Sequence, residues 1–332
     1  ILYVYNIYIL KGVTLVNTKV VVLNAGKVNY DGRIDFSILS EDTVIYEDST
    51  LADVLPRIAG AAAIVTKEMV LPADLVRQFP ESVRLIVEAG TGYNNIPLDA
   101  AKEKGITVCN IPAYSTQRVA HTAIMLLLAL SSTLQVQLAM LQRGDRTNFT
   151  KCLQVPHYEV NGKTLGVIGA GHIGKEVMKV ARALDMEILV YTRTPRQNED
   201  HITYTDLETV LRQSDYVTLH CPLNDQTRHL INKERLALMK PAAFLINTSR
   251  GALIDEAALI DALQHHRIAG AGLDVQETEP PAGTNPLYTL ENVILTPHMG
   301  WKGQETRQRL LGIIHDDIRS FFAGTPINVV SQ

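Results

Sequence analysis

Gly169-Ala170-Gly171-His172-Ile173-Gly174 follows directly on the apolar run Leu165–Ile168, and a helical stretch, Lys175–Leu184, comes next. Strand, glycine turn, helix is the setting in which G-x-G-x-x-G means dinucleotide binding. Gly169 allows the tight turn, Gly171 lets the backbone approach a pyrophosphate, and Gly174 lets helix and strand pack closely. The phosphates then meet the free N–H groups at the helix start. Farther along stand three residues that could work with such a carrier: Arg250, Glu279 and His298. Hydride transfer moves two electrons to or from a carbon, so a separate group must take or return the hydroxyl proton. His298 is the candidate, because histidine changes charge near neutral pH. A carboxylate beside it, Glu279, would favour the imidazolium and fix the ring. Arg250 would hold a substrate carboxylate or polarise a carbonyl. Taken singly, each has an ordinary reading: a turn histidine, a solvated loop carboxylate, a salt-bridge arginine.

Their shared position argues for more. Short apolar runs alternate with longer helical patterns along the chain, which is the signature of parallel α/β sheets. Strands are expected at 20–23, 43–46, 63–66, 85–89 and 107–110, and again at 165–168, 188–191, 216–220, 243–247, 269–274 and 293–295. Ligands of such sheets bind beyond the carboxyl ends of the strands. In the second set those ends read Gly169–Gly174, Thr192-Arg193, Cys221-Pro222, Thr248–Gly251, Asp274–Glu279 and Thr296–His298. A long apolar helix without Gly or Pro, 117–142, joins the two sets and is expected to cross between domains. A last helix, 305–322, precedes a tail expected to return to the first domain. The fold expected is α/β: two Rossmann-like, doubly wound parallel-sheet domains flanking an active-site cleft. The dinucleotide-binding domain covers 118–299. A flavodoxin-like substrate domain covers 19–117 plus 300–332, and residues 1–18 are set apart as an extension.

The 332 residues exceed one ordinary core, which fits two domains. A net charge of −4 without a basic block excludes nucleic acid and anionic membrane as natural partners. Cys109, Cys152 and Cys221 lack metal or disulfide spacing, so no metal is expected and a reducing cytoplasm fits. The apolar stretch Ile1–Leu10 is too short to span a membrane.

Four blocks resemble the D-isomer-specific 2-hydroxyacid dehydrogenase family: Glu88–Ile96, Gly162–Gly166 running into the glycine turn, Asn247–Gly251, and Leu273-Asp274-Val275 through Glu279-Pro280 to Thr296-Pro297-His298. They span roughly residues 19–330 in the family's order. The resemblance implies an Arg-Glu-His catalytic set on Arg250, Glu279 and His298. Glu277 is the competing carboxylate, and the family's spacing from Asp274 selects Glu279. It also implies substrate-carboxylate binding on backbone N–H groups of Gly90, Thr91 and Gly92, and a glycine turn after a strand does offer such donors. Cofactor contacts in similar proteins fall on His172, Ile173, Thr192, Cys221, Thr248, Asp274 and His298, and the family implies a homodimer formed through the cofactor domain. The loops Ala89–Ile96 and Pro112–Gln117 look most like its glycerate dehydrogenase and hydroxypyruvate reductase members. The activity implied is reduction of a small 2-keto acid, hydroxypyruvate or glyoxylate, to the D-2-hydroxy acid. The alternatives are D-lactate dehydrogenase and a dinucleotide-binding corepressor without turnover.

Two departures from the family stand out. NAD-preferring members carry an acid at the end of the second strand, where this chain has Tyr191-Thr192-Arg193, with Arg196 nearby. That combination leans toward NADP(H), because an arginine welcomes a 2′-phosphate that an acid would repel. The family also often has an acid after Val119-Ala120, where this chain has His121.

Overall fold

The computed structural model of the chain describes residues 18–331 apart from Pro195, so nearly all of the expected N-terminal extension lies outside the described residues. The chain divides into two compact units. One comprises everything described up to Tyr114 together with the segment from Gln304 onward, and the other is Ser115–Gly303.

The first unit opens with β1 (Lys19–Val22), β2 (Asp42–Ile45), β3 (Ala63–Thr66), β4 (Leu85–Glu88) and β5 (Thr107–Asn110). They form a parallel sheet in the order β2-β1-β3-β4-β5. β3 and β4 are buried along their whole length. Their near-continuous Val/Ile/Leu character is what a parallel strand covered on both faces requires. Helices α1 (Leu51–Arg57), α2 (Ala73–Arg77) and α3 (Leu98–Glu103) supply the cover. Val54, Val76, Ala100 and Ala101 pack there against Ile64 and Ile86.

The second unit begins with α4 (Thr116–Ser131), α5 (Leu134–Gln142) and the short α6 (Thr147–Thr150). The single helix expected over 117–142 is therefore two helices, bent by 66°. The break needs neither Gly nor Pro. The Ser131 and Ser132 hydroxyls both donate to the Leu128 carbonyl, and Thr133 turns left-handed at φ = +50°. Such hydroxyls compete for the carbonyls that continue a helix. The Tyr158 amide then takes the Ser131 carbonyl.

Strands β6 (Thr164–Ile168), β7 (Glu187–Tyr191), β8 (Ile202–Tyr204), β9 (Tyr216–Leu219), β10 (Phe244–Asn247), β11 (Gly270–Leu273) and β12 (Val293–Leu295) follow. Between them lie α7 (His172–Ala183), α8 (Leu207–Gln213), α9 (Lys233–Leu236) and α10 (Glu256–Gln264). The sheet is parallel in the order β12-β11-β10-β9-β6-β7-β8. The order reverses between β6 and β9, beside the glycine turn, where doubly wound sheets take their ligands. Six strands were expected here. The seventh, β8, is a three-residue edge pairing with β7 alone, too brief to show a pattern of its own. α4 packs on β11, where the bare Gly272 accommodates Leu126.

The last helix, α11 (Gln304–Phe322), belongs to the first unit. Its Arg307 is 2% exposed and donates to the Val28 carbonyl and to both oxygens of Asp31. Those bonds hold the Asp31 carboxyl down at about 2. Val329 then bridges Cys109 in antiparallel fashion, and the Val330 amide donates to the Val108 carbonyl. Among the described residues no single helix is long and apolar enough to cross a membrane.

Candidate active site

The glycine turn has the dimensions that dinucleotide binding demands. Gly169 lies at φ = +106°, and a Cβ there would come within 2.7 Å of the His220 carbonyl and the Cys221 amide. A Cβ on Gly174 would lie 2.1 Å from the Gly169 carbonyl oxygen, so α7 can start this close to β6 only with glycine there. Around Gly171, by contrast, nothing lies within 4 Å of a Cβ position. Gly171 is the N-cap of α7, with no side-chain cap and no acid in the first turn. The first N–H groups of a helix have no acceptor within it, so these, with exposed His172 and half-buried Ile173 among them, form an anion seat. At the end of β10 the Thr248 hydroxyl is buried without a hydrogen-bond partner among the described residues. An open, uncapped helix start and an orphaned hydroxyl on the same sheet edge both fit a bound dinucleotide.

The end of the neighbouring β9 carries no competing charge of its own. Burial pushes the Cys221 thiol up to about 11 and the His220 imidazole down to about 4, so both are neutral at physiological pH. Sequence reasoning stopped at Cys221 and missed His220. Its ring meets the Thr218 hydroxyl at 2.9 Å. At the end of β7, Thr192 is half-buried and Arg193 is exposed.

The catalytic candidates are brought together by a chain of loop-to-loop ties. At the end of β10, Asn247 bends the chain by accepting from the Ser249 amide at 3.0 Å and donating to the Arg250 carbonyl at 2.9 Å. The Ser249 hydroxyl donates to the Cys221 carbonyl at 2.7 Å, anchoring this loop to the end of β9. Arg250 is half-buried, and its Nη1 donates to the Ser249 carbonyl. The next residue, Gly251, touches the loop after β11: a Cβ there would overlap the Gln276 carbonyl at 1.9 Å. The Gln276 amide in turn donates to Glu279 Oε1 at 3.0 Å, and Glu279 Oε2 meets His298 Nδ1 at 2.7 Å. The other carboxylate, Glu277, faces away into a pair with His229 at 2.7 Å and with the Glu256 amide. His298 thus has one carboxylate partner, and it is Glu279.

His298 sits at φ = +48°, a left-handed conformation that costs a residue with a Cβ about 1–2 kcal/mol. Asp274 holds the loop in place. Its carboxylate is 1% exposed and accepts from the Thr296 hydroxyl, the Met299 amide at 2.9 Å and the Gly300 amide at 2.8 Å. With Nδ1 engaged by Glu279, the other ring nitrogen, Nε2, is left for a further partner.

In the first unit, the Gly90-Thr91-Gly92 turn follows β4. The Gly90 amide is already used, donating to the Glu88 carbonyl at 2.7 Å. Gly90 therefore does not supply the donor expected of it, because its tight turn consumes it. No protein acceptor meets the Thr91 or Gly92 amide among the described residues. The Thr91 hydroxyl donates to the Ile111 carbonyl, and Asn110 Nδ2 donates to the Thr91 carbonyl, which fix the turn.

The family model described as "D-isomer specific 2-hydroxyacid dehydrogenase, NAD binding domain" matches residues 124–300. A hydroxypyruvate reductase from Blautia hydrogenotrophica is 38% identical over 323 residues, 95% of this chain and 100% of the relative. A glycerate dehydrogenase from Methylorubrum extorquens is 39% identical over 290 residues, 86% of this chain and 90% of the relative. Among solved structures, an acyclic imino acid reductase in complex with NADPH and D-Arg matches with a TM-score of 0.81 at 28% identity, covering 94% of this chain and 100% of that one.

Proposed function

The chain belongs to the D-isomer-specific 2-hydroxyacid dehydrogenase family, and from that premise we propose that it reduces hydroxypyruvate or glyoxylate to the corresponding D-2-hydroxy acid. It is an oxidoreductase of CH–OH groups that uses a nicotinamide dinucleotide. The observation that carries the reading is the His298–Glu279 pair at 2.7 Å, one loop away from Arg250 and on the same sheet edge as the glycine turn. The dinucleotide, when bound, supplies the hydride. The N–H groups of Gly171 to Gly174 would hold its pyrophosphate, and the Thr248 hydroxyl would find a partner in it. Asp274 serves through the loop it fixes: Oδ1 is filled by the Thr296 hydroxyl and the Met299 amide, and Oδ2, bonded to the Gly300 amide, keeps a lone pair that could meet a carboxamide N–H. The Thr91 and Gly92 amides receive the substrate carboxylate. Arg250 polarises the ketone and stabilises the oxygen as it gains charge. His298, as imidazolium, gives that oxygen its proton, and Glu279 holds the ring in register. NADH and NADPH oxidation with hydroxypyruvate, glyoxylate and pyruvate tests the proposal. Turnover of none of the three would refute it, and a preference for pyruvate would favour a D-lactate dehydrogenase. Free Cys109, Cys152 and Cys221 support a reducing, cytoplasmic setting.

For the cofactor we favour NADP(H). Thr192 can serve a ribose hydroxyl, and exposed Arg193 can meet a 2′-phosphate. A charge-assisted hydrogen bond of about 1.5–3 kcal/mol corresponds to a preference of roughly ten- to a hundredfold. The expected result is a higher kcat/KM with NADPH than with NADH, and loss of most of that preference in Arg193→Ala. Equal use of the two cofactors by the parent, or an unchanged preference in the variant, would overturn this choice.

We also assign the second unit a dimer surface that takes a second copy of this chain. α5 has no buried residue, and its Leu134, Leu138 and Leu141 are exposed together with Leu153 and with Phe149, which is 77% exposed. Leu134, Leu138 and Leu141 recur at the spacing of one helix face, exposed apolar faces mark association sites, and a homodimer is the commonest assembly. Light scattering should give a dimer mass for the parent and a monomer mass for the Leu138→Glu/Phe149→Glu double variant. A monomeric parent would remove the assignment.

A further inference from the structure

The first unit buries a charged cluster under the Gly90–Gly92 turn that the catalytic scheme does not use. Lys67 follows β3 and is 4% exposed, although lysine almost never buries its ammonium without cause. Its Nζ lies 3.0 Å from where a Cβ on Gly90 would stand, so the bareness of Gly90 is what lets the ammonium reach the turn. Glu88, the last residue of β4, is fully buried. Its carboxylate accepts from the Glu68 amide at 2.9 Å and from Asn95 Nδ2 at 2.8 Å. Glu88 thereby ties the residues after β3 to the far end of the glycine loop. Asn24, also buried, completes the frame by bonding the Lys67 amide and carbonyl. Two buried polar side chains, Glu88 and Asn24, thus frame one buried cation set against one turn.

We propose that Lys67 is the charge determinant of substrate affinity: its ammonium, set against Gly90, gives the Gly90–Gly92 turn the positive potential that draws in and holds the carboxylate of the 2-oxo acid. The inference rests on the reading of that turn as the carboxylate site. Two amide donors alone bind an anion weakly against water, whereas a fixed charge in surroundings of low dielectric strengthens the attraction several-fold. Glu68 and Glu88 face the ammonium and set how much of its charge is felt. Glu68 pairs with Nζ at 2.6 Å but is 44% exposed, so solvent screens it. Glu88 is not screened, yet burial lifts its carboxyl to about 7, against the pull of Asn95, the Glu68 amide and Lys67 itself. Below that pH it is protonated and takes nothing from the cation's potential beyond what solvent-screened Glu68 takes. Above it, Glu88 becomes an anion and cancels part of the potential.

The test is steady-state kinetics with the best of the three keto acids and saturating cofactor. Lys67→Met should raise the substrate KM about tenfold or more while kcat stays within about threefold. Cofactor affinity, read by fluorescence titration, should be unchanged, and Lys67→Arg should restore most of the loss in KM. Glu88→Gln leaves the lysine in place and removes the titrating anion. It should lower KM at pH 8 by about threefold and leave it near the parent value at pH 6. A Lys67→Met enzyme with unchanged KM would overturn the inference. So would one that loses kcat and cofactor affinity along with KM and is not rescued by arginine, which is the mark of a collapsed loop. If Lys67→Met does not fold, the Glu88→Gln comparison decides by itself, and KM values equal to the parent's at both pH values would overturn the inference. A parent that turns over no 2-oxo acid refutes the proposed function. A parent that does so with Lys67 variants indistinguishable from it refutes only this step.

Discussion

His298→Ala is expected to lower kcat for keto-acid reduction by about 10²–10⁴-fold, the usual contribution of a positioned proton donor, while cofactor affinity stays close to the parent's. The expectation follows from geometry. The His298 ring is held at 2.7 Å by Glu279 on one nitrogen, and its backbone is pinned in a left-handed turn by the amide bonds to Asp274. The seat for the dinucleotide is built from other residues, at the start of α7. Glu279→Gln separates the proton-donating role from mere occupancy. It keeps a side chain of the same size against His298 Nδ1 and removes its charge, and should lower kcat at least tenfold while cofactor affinity stays close to the parent's. Activity of His298→Ala within a few-fold of the parent would remove the residue from the mechanism. A Glu279→Gln enzyme with the parent's kcat would do the same for the carboxylate.

Arg250→Ala should damage both parameters at once. Loss of a donor aimed at developing negative charge costs about 10²–10³ in kcat, and loss of a charge-assisted bond to the ground-state substrate raises KM roughly ten- to a hundredfold. Arg250→Lys should recover only part of this, because the ammonium cannot present two parallel N–H groups to a planar acceptor. Arg250 is half-buried, and among the described residues its side chain is tied to its own loop through Nη1 and the Ser249 carbonyl. The alanine variant should therefore fold normally, and an unchanged thermal midpoint beside the kinetic loss is the expected control. An Arg250→Ala enzyme with kcat/KM near the parent's would exclude the role.

What could be read from the chain depended on how local the signal was. The glycine turn, the strand ends and the Arg-Glu-His set were legible because each sits immediately after a β-rich run, and the sheet rule carries them to one edge. The choice between Glu277 and Glu279 was not local. The structure separates them through His229, which lies 48 positions upstream of Glu277. The contact between Gly251 and Gln276 was invisible for the same reason, since nothing in either segment announces that two loops touch. The bend after α4 escaped notice because hydroxyl competition for carbonyls at 131–133 has no marker as plain as proline. β8 escaped because three residues show no periodicity. Lys67 carried no signal in the sequence, and Glu88 stood there only as the first residue of the Glu88–Ile96 block. Only the pairing of β3 with β4 places their side chains under the same turn.

The return of α11 to the first unit has a consequence for how the molecule comes into being. A ribosome delivers the chain in order, and Ser115–Gly303 contains every strand of its own sheet. That half can reach its final form while the polypeptide is still growing. The earlier half cannot: its Asp31 waits for Arg307, and Val108 and Cys109 wait for Val330 and Val329. The portion made first is thus the portion finished last, and in the interval its unfinished sheet lies open to helpers and proteases alike.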